Sequence, residues 1–290
     1  MSARVSLVAV AALAACRAPG SSTIQVAGAI RHYELFVPND TPGLPLVIAL
    51  HGNGGTGRQI ERMTSFDSVA AREQFLVAYP DAVDHHWNDG RPELDTGVDD
   101  VAFIASLIDE VARDHAIDRT RVYVTGASNG GIMTYRLGCD LTDRIAAIAP
   151  VIGNLPATIT CAPHAPLSVL AINGTRDPLV PYNGGSVARD RGSVLSATLS
   201  TEAFARADGC GPASATIEEP DVDRADGSRT RRTSYTCTAP IAVELLTLAG
   251  AGHTWPGGPQ YLPRVLIGGT SRDFDGAERI WEFFAAHTRS

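Results

Sequence analysis

Short runs of apolar residues alternate along this chain with longer, mixed stretches. A continuous apolar run is typical of a strand buried on both faces of a parallel sheet, because neither face meets water. Such runs predict strands at residues 46–50, 75–79, 122–124, 145–151, 167–172 and 241–248. The earlier segment 33–37 alternates between apolar and polar residues, which predicts an antiparallel strand.

Helices are predicted between these strands, some of them from apolar residues at helical spacing. They are expected at residues 60–74, 101–111, 130–138, 195–207 and 277–287. Strands that alternate with helices predict an α/β fold, with a mostly parallel central sheet and helices on both faces. The polar segment 213–232 is expected to form a surface hairpin or loop. No repeat or second-domain boundary is visible, so residues 23–290 are expected to form a single domain.

Composition narrows the class of protein. The chain has 290 residues, of which 44% are hydrophobic and 19% charged, which suits one large α/β domain. The net charge of −8 argues against a nucleic-acid partner, because phosphate binding requires a basic face. All 24 basic residues are arginine. The absence of lysine excludes a Ser-Lys dyad, a Schiff-base lysine and a phosphate-loop lysine.

The N-terminus has the pattern of an export signal. Arg4 precedes an apolar run, residues 5–15, that is too short to span a bilayer. The run ends in LAAC, which resembles a bacterial lipobox. We therefore predict a lipoprotein signal peptide at residues 1–15, a lipidated Cys16 as the first mature residue, and a polar tether at residues 16–22. The alternative is an ordinary signal peptide cut nearby, with Cys16 incidental.

The remaining cysteines agree with export. They are an even number, which is typical of an oxidising compartment, and three pairings are possible. We favour the nearest-neighbour pairing, which closes two modest loops: Cys139–Cys161 and Cys210–Cys237. No C-x-x-C is present, which argues against structural zinc. A cluster of polar residues elsewhere has a spacing that matches no known metal site: His85, His86, Asp89 and Asp95. We therefore expect neither a metal nor a cofactor.

The segment RVYVTGASNGG, residues 121–131, carries the strongest chemical signal. A short apolar strand runs into G-x-S-x-G, the pattern of a nucleophile elbow, in which a serine occupies a tight turn between strand and helix. The flanking glycines let neighbouring backbone pass close by, and the following helix directs free N–H groups toward an oxyanion. Ser128 is therefore the predicted nucleophile, against the simpler interpretation of a turn serine.

A serine nucleophile requires a base and a group that orients the base. In α/β-hydrolases these follow in the order serine, acid, histidine. Asp177 follows the predicted strand 167–172, and His253 follows the strand 241–248. Taken alone, each has a simpler interpretation, as a turn residue before proline or as a loop histidine. Together, and in this order, they predict a Ser128–Asp177–His253 triad on an α/β-hydrolase fold.

Other residues are expected to complete the site. The oxyanion should be bound by the backbone N–H of Asn129 and by one from the glycine-rich loop after strand 46–50. Asn53 is the predicted second donor, with Gly54 as the alternative. Trp255 and Trp87 could flank an aromatic or acyl group, or could be packing residues. As substrate-binding residues they are a hypothesis that the structure can test.

Four motifs in order resemble one enzyme family. HGNGGTG, YVTGASNGG, NGTRDPLVPY and GAGHTWPGG are similar to motifs of the secreted polyhydroxybutyrate-depolymerase-like and feruloyl or acetylxylan esterases. This resemblance implies Ser128 as nucleophile, Asp177 as acid, His253 as base, and the two disulfides favoured above. One departure is Asn53, where members often carry cysteine or glycine. The backbone N–H of Asn53 is still the expected donor, and the resemblance assigns no role to its side chain.

The expected protein is a secreted or cell-envelope serine esterase, tied to the membrane only through a lipid on Cys16. Its expected partner is an ester substrate, small or polymeric, and we expect a monomer. Two alternatives remain: a serine peptidase on the same scaffold, and a non-catalytic polymer-binding relative. The sequence does not choose among feruloyl, acetyl and hydroxyalkanoate esters, because a fold hosts many specificities.

Overall fold

The structure, a computed structural model, describes residues 17–238 and 240–289. The predicted signal peptide, residues 1–15, and the predicted lipidation site, Cys16, lie outside this part of the chain. Within it, no helix is both long and apolar enough to cross a membrane.

A single twisted sheet forms the centre of the molecule. Its strands are β1 (Arg17–Val26), β2 (Ala29–Val37), β3 (Leu46–Leu50), β4 (Leu76–Pro80), β5 (Val122–Ala127), β6 (Ala147–Val151), β7 (Ser168–Gly174), β10 (Ile217–Glu218), β11 (Arg229–Ser234) and β12 (Val243–Ala249). Their spatial order is β1-β2-β4-β3-β5-β6-β7-β12-β11-β10. The six central strands, in the spatial order β4-β3-β5-β6-β7-β12, are parallel to one another. At one edge β2 and β1 add antiparallel strands, and at the other edge β11 and β10 do the same. A separate small hairpin is formed by β8 (Gly185–Ser186) and β9 (Ser193–Val194).

Helices cover both faces of the sheet. They are α1 (Gly57–Thr64), α2 (Phe66–Glu73), α3 (Asp100–His115), α4 (Asn129–Asp140), α5 (Ala197–Ala207), α6 (Arg264–Ile267) and α7 (Gly276–Ala285), with short 3-10 turns at Val83–His85 and Pro92–Leu94. Apolar side chains of α3, α4 and α5 pack on one face. Those of α1, α2 and α7 pack on the other.

Alternate residues of each central strand enter opposite cores. In β3, Leu46, Ile48 and Leu50 belong to one apolar cluster, whereas Val47 and Ala49 belong to the other. All five residues of this strand are buried. This double burial is the physical reason for the continuous apolar runs in the sequence, and it confirms the predicted α/β architecture.

Two local predictions were wrong. The tether predicted for residues 16–22 is replaced, from Arg17 onward, by β1, which pairs antiparallel with β2. The backbone hydrogen bonds of a neighbouring strand outweigh the polar composition of this segment. The helix predicted at residues 60–74 is two helices, because Ser65 adopts a left-handed φ of 57° between α1 and α2.

Two disulfides tie helices to later parts of the chain. Cys139 at the end of α4 is bonded to Cys161, and Cys210 after α5 is bonded to Cys237. The nearest-neighbour pairing favoured from the sequence is therefore the one in the structure. The polar segment 213–232 forms the short strands and turns of the β10–β11 edge, as expected of a surface hairpin.

Candidate active site

Ser128 lies in the turn between β5 and α4. Its backbone has φ 60° and ψ −120°, a conformation that strains a residue with a Cβ atom. The flanking glycines are required by close packing. A Cβ atom on Gly126 would lie 2.6 Å from the carbonyl oxygen of Gly130, and one on Gly130 would overlap the carbonyl oxygen of Leu50. The turn therefore has the geometry of a nucleophile elbow at the carboxyl edge of the sheet.

Asp177 and His253 meet at the same edge. Asp177 follows β7, His253 follows β12, and the two strands are adjacent and parallel. His253 Nδ1 lies 2.6 Å from Asp177 Oδ2, and both side chains are almost completely buried. The second carboxylate oxygen accepts hydrogen bonds from the N–H groups of Leu179 (2.8 Å) and Val180 (2.9 Å). Both oxygens of Asp177 are thus occupied, and the imidazole is held from its Nδ1 side.

Ser128 and His253 line one cavity of about 580 Å³. Apolar and small residues from several loops also line it, among them Ile60, Met63, Ile152, Leu179, Val180, Val187 and Leu262. Within the described residues, no hydrogen bond joins the Ser128 hydroxyl to the imidazole of His253. The structure therefore brings the three predicted triad residues to one site, with the acid–histidine contact formed and the serine beside it.

His51 anchors the glycine-rich loop that follows β3. Its Nε2 accepts a hydrogen bond from the N–H of Ala82 at 3.0 Å, and its Nδ1 lies 2.8 Å from the carbonyl oxygen of Gly52. This arrangement requires a neutral ring with the proton on Nδ1. Burial also lowers the pKa of His51 below its ordinary value. Because both ring nitrogens are engaged, this histidine holds the loop in place and has no free nitrogen to act as a base.

The same loop passes directly beside the elbow. A Cβ atom on Gly52 would lie 3.3 Å from Cβ of Ser128. The N–H of Gly54 donates to the carbonyl oxygen of His85 at 2.7 Å, so it is not free to bind another acceptor. In the described part of the chain, no acceptor is bonded to the N–H of Asn53. The geometry thus favours Asn53 over Gly54 as the free donor of this loop.

The side chain of Asn129 makes a connection that the sequence did not reveal. Its Oδ1 accepts from the N–H of Trp87 (2.7 Å), and its Nδ2 donates to Asp89 Oδ2 (2.7 Å). Asp89 is in turn paired with Arg91 at 2.6 Å, and both side chains are buried. Arg91 Nη1 then donates to the carbonyl oxygen of Arg191 at 2.6 Å. A buried chain of polar contacts therefore joins the elbow to the β8–β9 segment.

Two tryptophans require a correction. The sequence allows Trp87 and Trp255 either to flank the substrate or to be packing residues; in the structure both are buried and neither lines the cavity. Trp87 donates from Nε1 to the carbonyl oxygen of His51 (2.9 Å), and Trp255 packs edge-on against Phe66. The packing interpretation holds, because large rings that follow a strand can be covered by loops from elsewhere in the chain.

Tyr261 is a cavity residue that the sequence analysis did not single out. Its hydroxyl donates to the carbonyl oxygen of His253 at 3.0 Å, and its side chain lines the cavity. The only signal available was its position eight residues after the predicted base.

Within residues 17–238 and 240–289, no group of three or more His, Cys, Asp or Glu side chains is arranged to hold a metal ion.

The parallel sheet, the helices on both faces and the elbow define an α/β-hydrolase fold. An acetyl xylan esterase from Aspergillus awamori shares this fold, with a TM-score of 0.60 at 15% identity over 88% of this chain and 94% of that chain. At this identity, the likeness bears on fold alone.

Sequence comparison carries the classification further. The profile of the esterase PHB depolymerase family matches residues 32–179, just over half of the chain. A protein named "Putative esterase NocK", from Nocardia uniformis subsp. tsuyamanensis, is 32% identical over 90% of this chain and 80% of its own. Feruloyl esterase B of Piromyces equi is 30% identical over 72% of this chain, a region that is 39% of that enzyme. This chain is a carboxylic ester hydrolase. It belongs to the esterase PHB depolymerase family.

Proposed function

We propose that this protein hydrolyses carboxylic esters through an acyl-enzyme on Ser128. The observation that carries the proposal is the 2.6 Å contact between His253 Nδ1 and Asp177 Oδ2, at a cavity also lined by the elbow serine. Ser128 Oγ attacks the ester carbonyl while His253 Nε2 takes its proton. Asp177 keeps the other imidazole proton on Nδ1 and stabilises the imidazolium that forms.

The backbone N–H groups of Asn53 and Asn129 stabilise the oxyanion. Removing one such donor typically costs ~3–4 kcal/mol of transition-state stabilisation. Support comes from the engaged N–H of Gly54 and from the position of Asn129 at the start of α4, where N–H groups are free of helical partners. No cofactor takes part in this scheme.

The second half of the reaction reverses these roles. The alcohol leaves with the proton held on His253, and water enters the cavity. His253 then takes a proton from that water, which attacks the acyl carbonyl and releases the acid and Ser128. Hydrogen bonds between serine and histidine often tighten only in the substrate complex, which agrees with a Ser128 hydroxyl that is not yet bonded.

The substrate is a feruloyl, acetyl-polysaccharide or hydroxyalkanoate ester, the classes suggested by the relatives and by the family. We propose an extracytoplasmic location, supported by the two disulfides, which persist in oxidising compartments. Attachment through Cys16 is part of this proposal. Mass spectrometry of the protein from a membrane fraction would detect a lipid on that residue.

The test is a panel of 4-nitrophenyl acyl esters, methyl ferulate, acetylated xylan and hydroxybutyrate oligomers, with a matching 4-nitroanilide. We expect ester hydrolysis that falls by about 10⁴-fold or more in Ser128→Ala. A fluorophosphonate should label the wild-type protein at Ser128 and leave the variant unlabelled.

Ser68→Ala is the matched control, because this exposed serine lies on α2 outside the cavity. Its activity should equal that of the wild type. Faster hydrolysis of the anilide than of the ester would indicate a peptidase instead. Absence of both turnover and labelling would indicate a non-catalytic relative.

A further inference from the structure

The charge of the cavity is opposite to that of the whole protein. Arg62, Arg189 and Arg191 line the cavity, and no aspartate or glutamate does. The chain as a whole carries a net charge of −8. A cleft lined by charges of one sign concentrates ligands of the opposite sign. The side chains around the proposed nucleophile therefore favour an anionic group.

These three arginines also differ from most others in the molecule. Most arginines elsewhere in the described residues form ion pairs, both buried, as in Arg31–Asp100 at 2.7 Å, and exposed, as in Arg58–Glu34 at 2.9 Å. In the described part of the chain, Arg62, Arg189 and Arg191 have no carboxylate within ion-pairing distance. The side chains of Arg62 and Arg189 make no hydrogen bond to the described residues. Nη1 of Arg191 donates to the side-chain amide oxygen of Asn53 at 3.3 Å, a neutral partner that leaves the charge of this arginine uncompensated.

Acidic neighbours in the sequence do not neutralise the cavity. Glu61 precedes Arg62, and Asp190 lies between Arg189 and Arg191, yet neither carboxylate lines the cavity. The carboxylate of Asp177 is taken up by His253 and two backbone N–H groups. In the described residues, no carboxylate therefore forms an ion pair with these arginines inside the cavity.

The segment that carries two of the arginines is tied to the core. Arg91, itself buried, donates to the carbonyl oxygen of Arg191 at 2.6 Å. The N–H of Val187 donates to the carbonyl oxygen of Gly192 at 2.8 Å, and that of Ala188 to Leu179 at 2.9 Å. A backbone held in this way limits the freedom that the two side chains lose on binding a ligand.

We propose that the preferred substrate is an ester that also bears a carboxylate, which Arg189 and Arg191, assisted by Arg62, bind at the cavity. The planar guanidinium group suits a carboxylate because it can donate two parallel hydrogen bonds. The inference rests on the proposed function, since it assigns the substrate class of the same site. The carboxylate can belong to the acyl part or to the alcohol part of the ester.

The test uses two pairs of esters that differ in one carboxylate. On the acyl side, 4-nitrophenyl hydrogen glutarate is compared with 4-nitrophenyl methyl glutarate. On the alcohol side, 4-acetoxybenzoate is compared with methyl 4-acetoxybenzoate. For each pair, kcat/KM of the acid is divided by kcat/KM of its methyl ester. This ratio is measured for the full chain and for Arg189→Gln/Arg191→Gln, so that differences in intrinsic reactivity cancel.

We expect the double variant to lower the ratio by about tenfold on at least one pair, because a charge-assisted contact is lost. The pair that responds identifies the side of the ester that carries the carboxylate. Added salt should lower the wild-type ratio by screening the exposed charges. The ratio and not the absolute rate is the readout, because both arginines line the cavity and their loss can also alter hydrolysis of the methyl esters.

Arg272→Gln is the matched control, since this exposed arginine has no ion pair in the described residues and lies outside the cavity. Its ratio should equal that of the wild type. A ratio unchanged in the double variant on both pairs would overturn the proposal. Hydrolysis of the methyl esters that depends on Ser128 would then still support the esterase, so the two failures are distinguishable.

Discussion

At the scale of single residues, Asp177 shows how one carboxylate serves two purposes. Oδ1 accepts two backbone N–H groups of its own loop, which fixes the side chain, and Oδ2 contacts the imidazole of His253. A buried carboxylate whose two oxygens both make hydrogen bonds has little freedom to rotate. We therefore propose that Asp177 sets both the orientation and the tautomer of the histidine.

Asp177→Asn tests this role. The amide can keep the two backbone contacts through its oxygen, but it presents N–H groups to His253 Nδ1 and favours the wrong tautomer. We expect kcat to fall by about 10⁴-fold with little change in stability. Steady-state kinetics and thermal unfolding measure the two effects. Asp40→Asn, at an exposed position, is the control, and an Asp177→Asn variant that kept most of its activity would contradict the assigned role.

At the scale of secondary-structure elements, buried polar contacts set the position of neighbouring segments. The Asp89–Arg91 pair lies between the start of α4 and the β8–β9 segment, and it contacts both. Asp67 joins α2 to β4 in a similar way, because the hydroxyl of Tyr79 donates to its Oδ1 at 2.6 Å. Such contacts are costly to break because they leave a charge or a polar group unpaired away from water.

Arg91→Met should leave the carboxylate of Asp89 buried without its cation. We expect the free energy of unfolding to fall by about 3–5 kcal/mol, and Asp89→Asn/Arg91→Met to recover part of it. Urea denaturation measures both. Arg113→Met provides the comparison, because the Arg113–Asp114 pair is exposed and solvent-screened and should contribute far less. Equal losses in Arg91→Met and Arg113→Met would show that the buried pair is unimportant.

Burial raises the pKa of Asp67 from 3.8 to about 6. The folded protein thus holds this proton more tightly than the unfolded chain, so stability is lost as the pH rises from about 4 through 6. Asp67→Asn keeps an acceptor for Tyr79 and removes the ionisation. Its melting temperature should exceed that of the wild type by more at pH 7.5 than at pH 4.5. An equal difference at both pH values would contradict the assignment.

At the scale of the whole molecule, the disulfides constrain the chain outside the site. They close loops with sequence separations of 22 and 27 residues, and neither joins residues that line the cavity. Their effect on stability comes chiefly from limiting the freedom of the unfolded chain. They are therefore expected to affect stability much more than the chemistry at the site.

Replacing either pair, with Cys139→Ala/Cys161→Ala or Cys210→Ala/Cys237→Ala, should lower the free energy of unfolding by about 3 kcal/mol. Ester hydrolysis well below the melting temperature should persist. Denaturation and activity assays with and without dithiothreitol measure the two effects. A loss of activity without a loss of stability would mean that a bridge positions the site directly.

The sequence by itself was enough to predict the α/β architecture, and of three possible cysteine pairings it favoured the one that the structure has. Strands buried on both faces favour apolar residues at nearly every position, so β3, β4 and most of β7 were recognisable without a structure. The turn at Ser128 was equally visible, because only glycine tolerates the close backbone contacts on either side of it. Burial of a strand and the steric limits of a turn depend on residues that are close together in the sequence. These strands and this turn can therefore be predicted from the sequence alone.

Only the tertiary structure decided which side chains meet. It brought His253 to Asp177 across a separation of 76 residues, buried Trp87 and Trp255 away from the cavity, and joined Asn129 to Asp89. It also turned residues 17–22 from a tether into an edge strand. Contacts and burial of this kind depend on segments that are far apart along the chain. They therefore cannot be predicted from the pattern of residues within one segment.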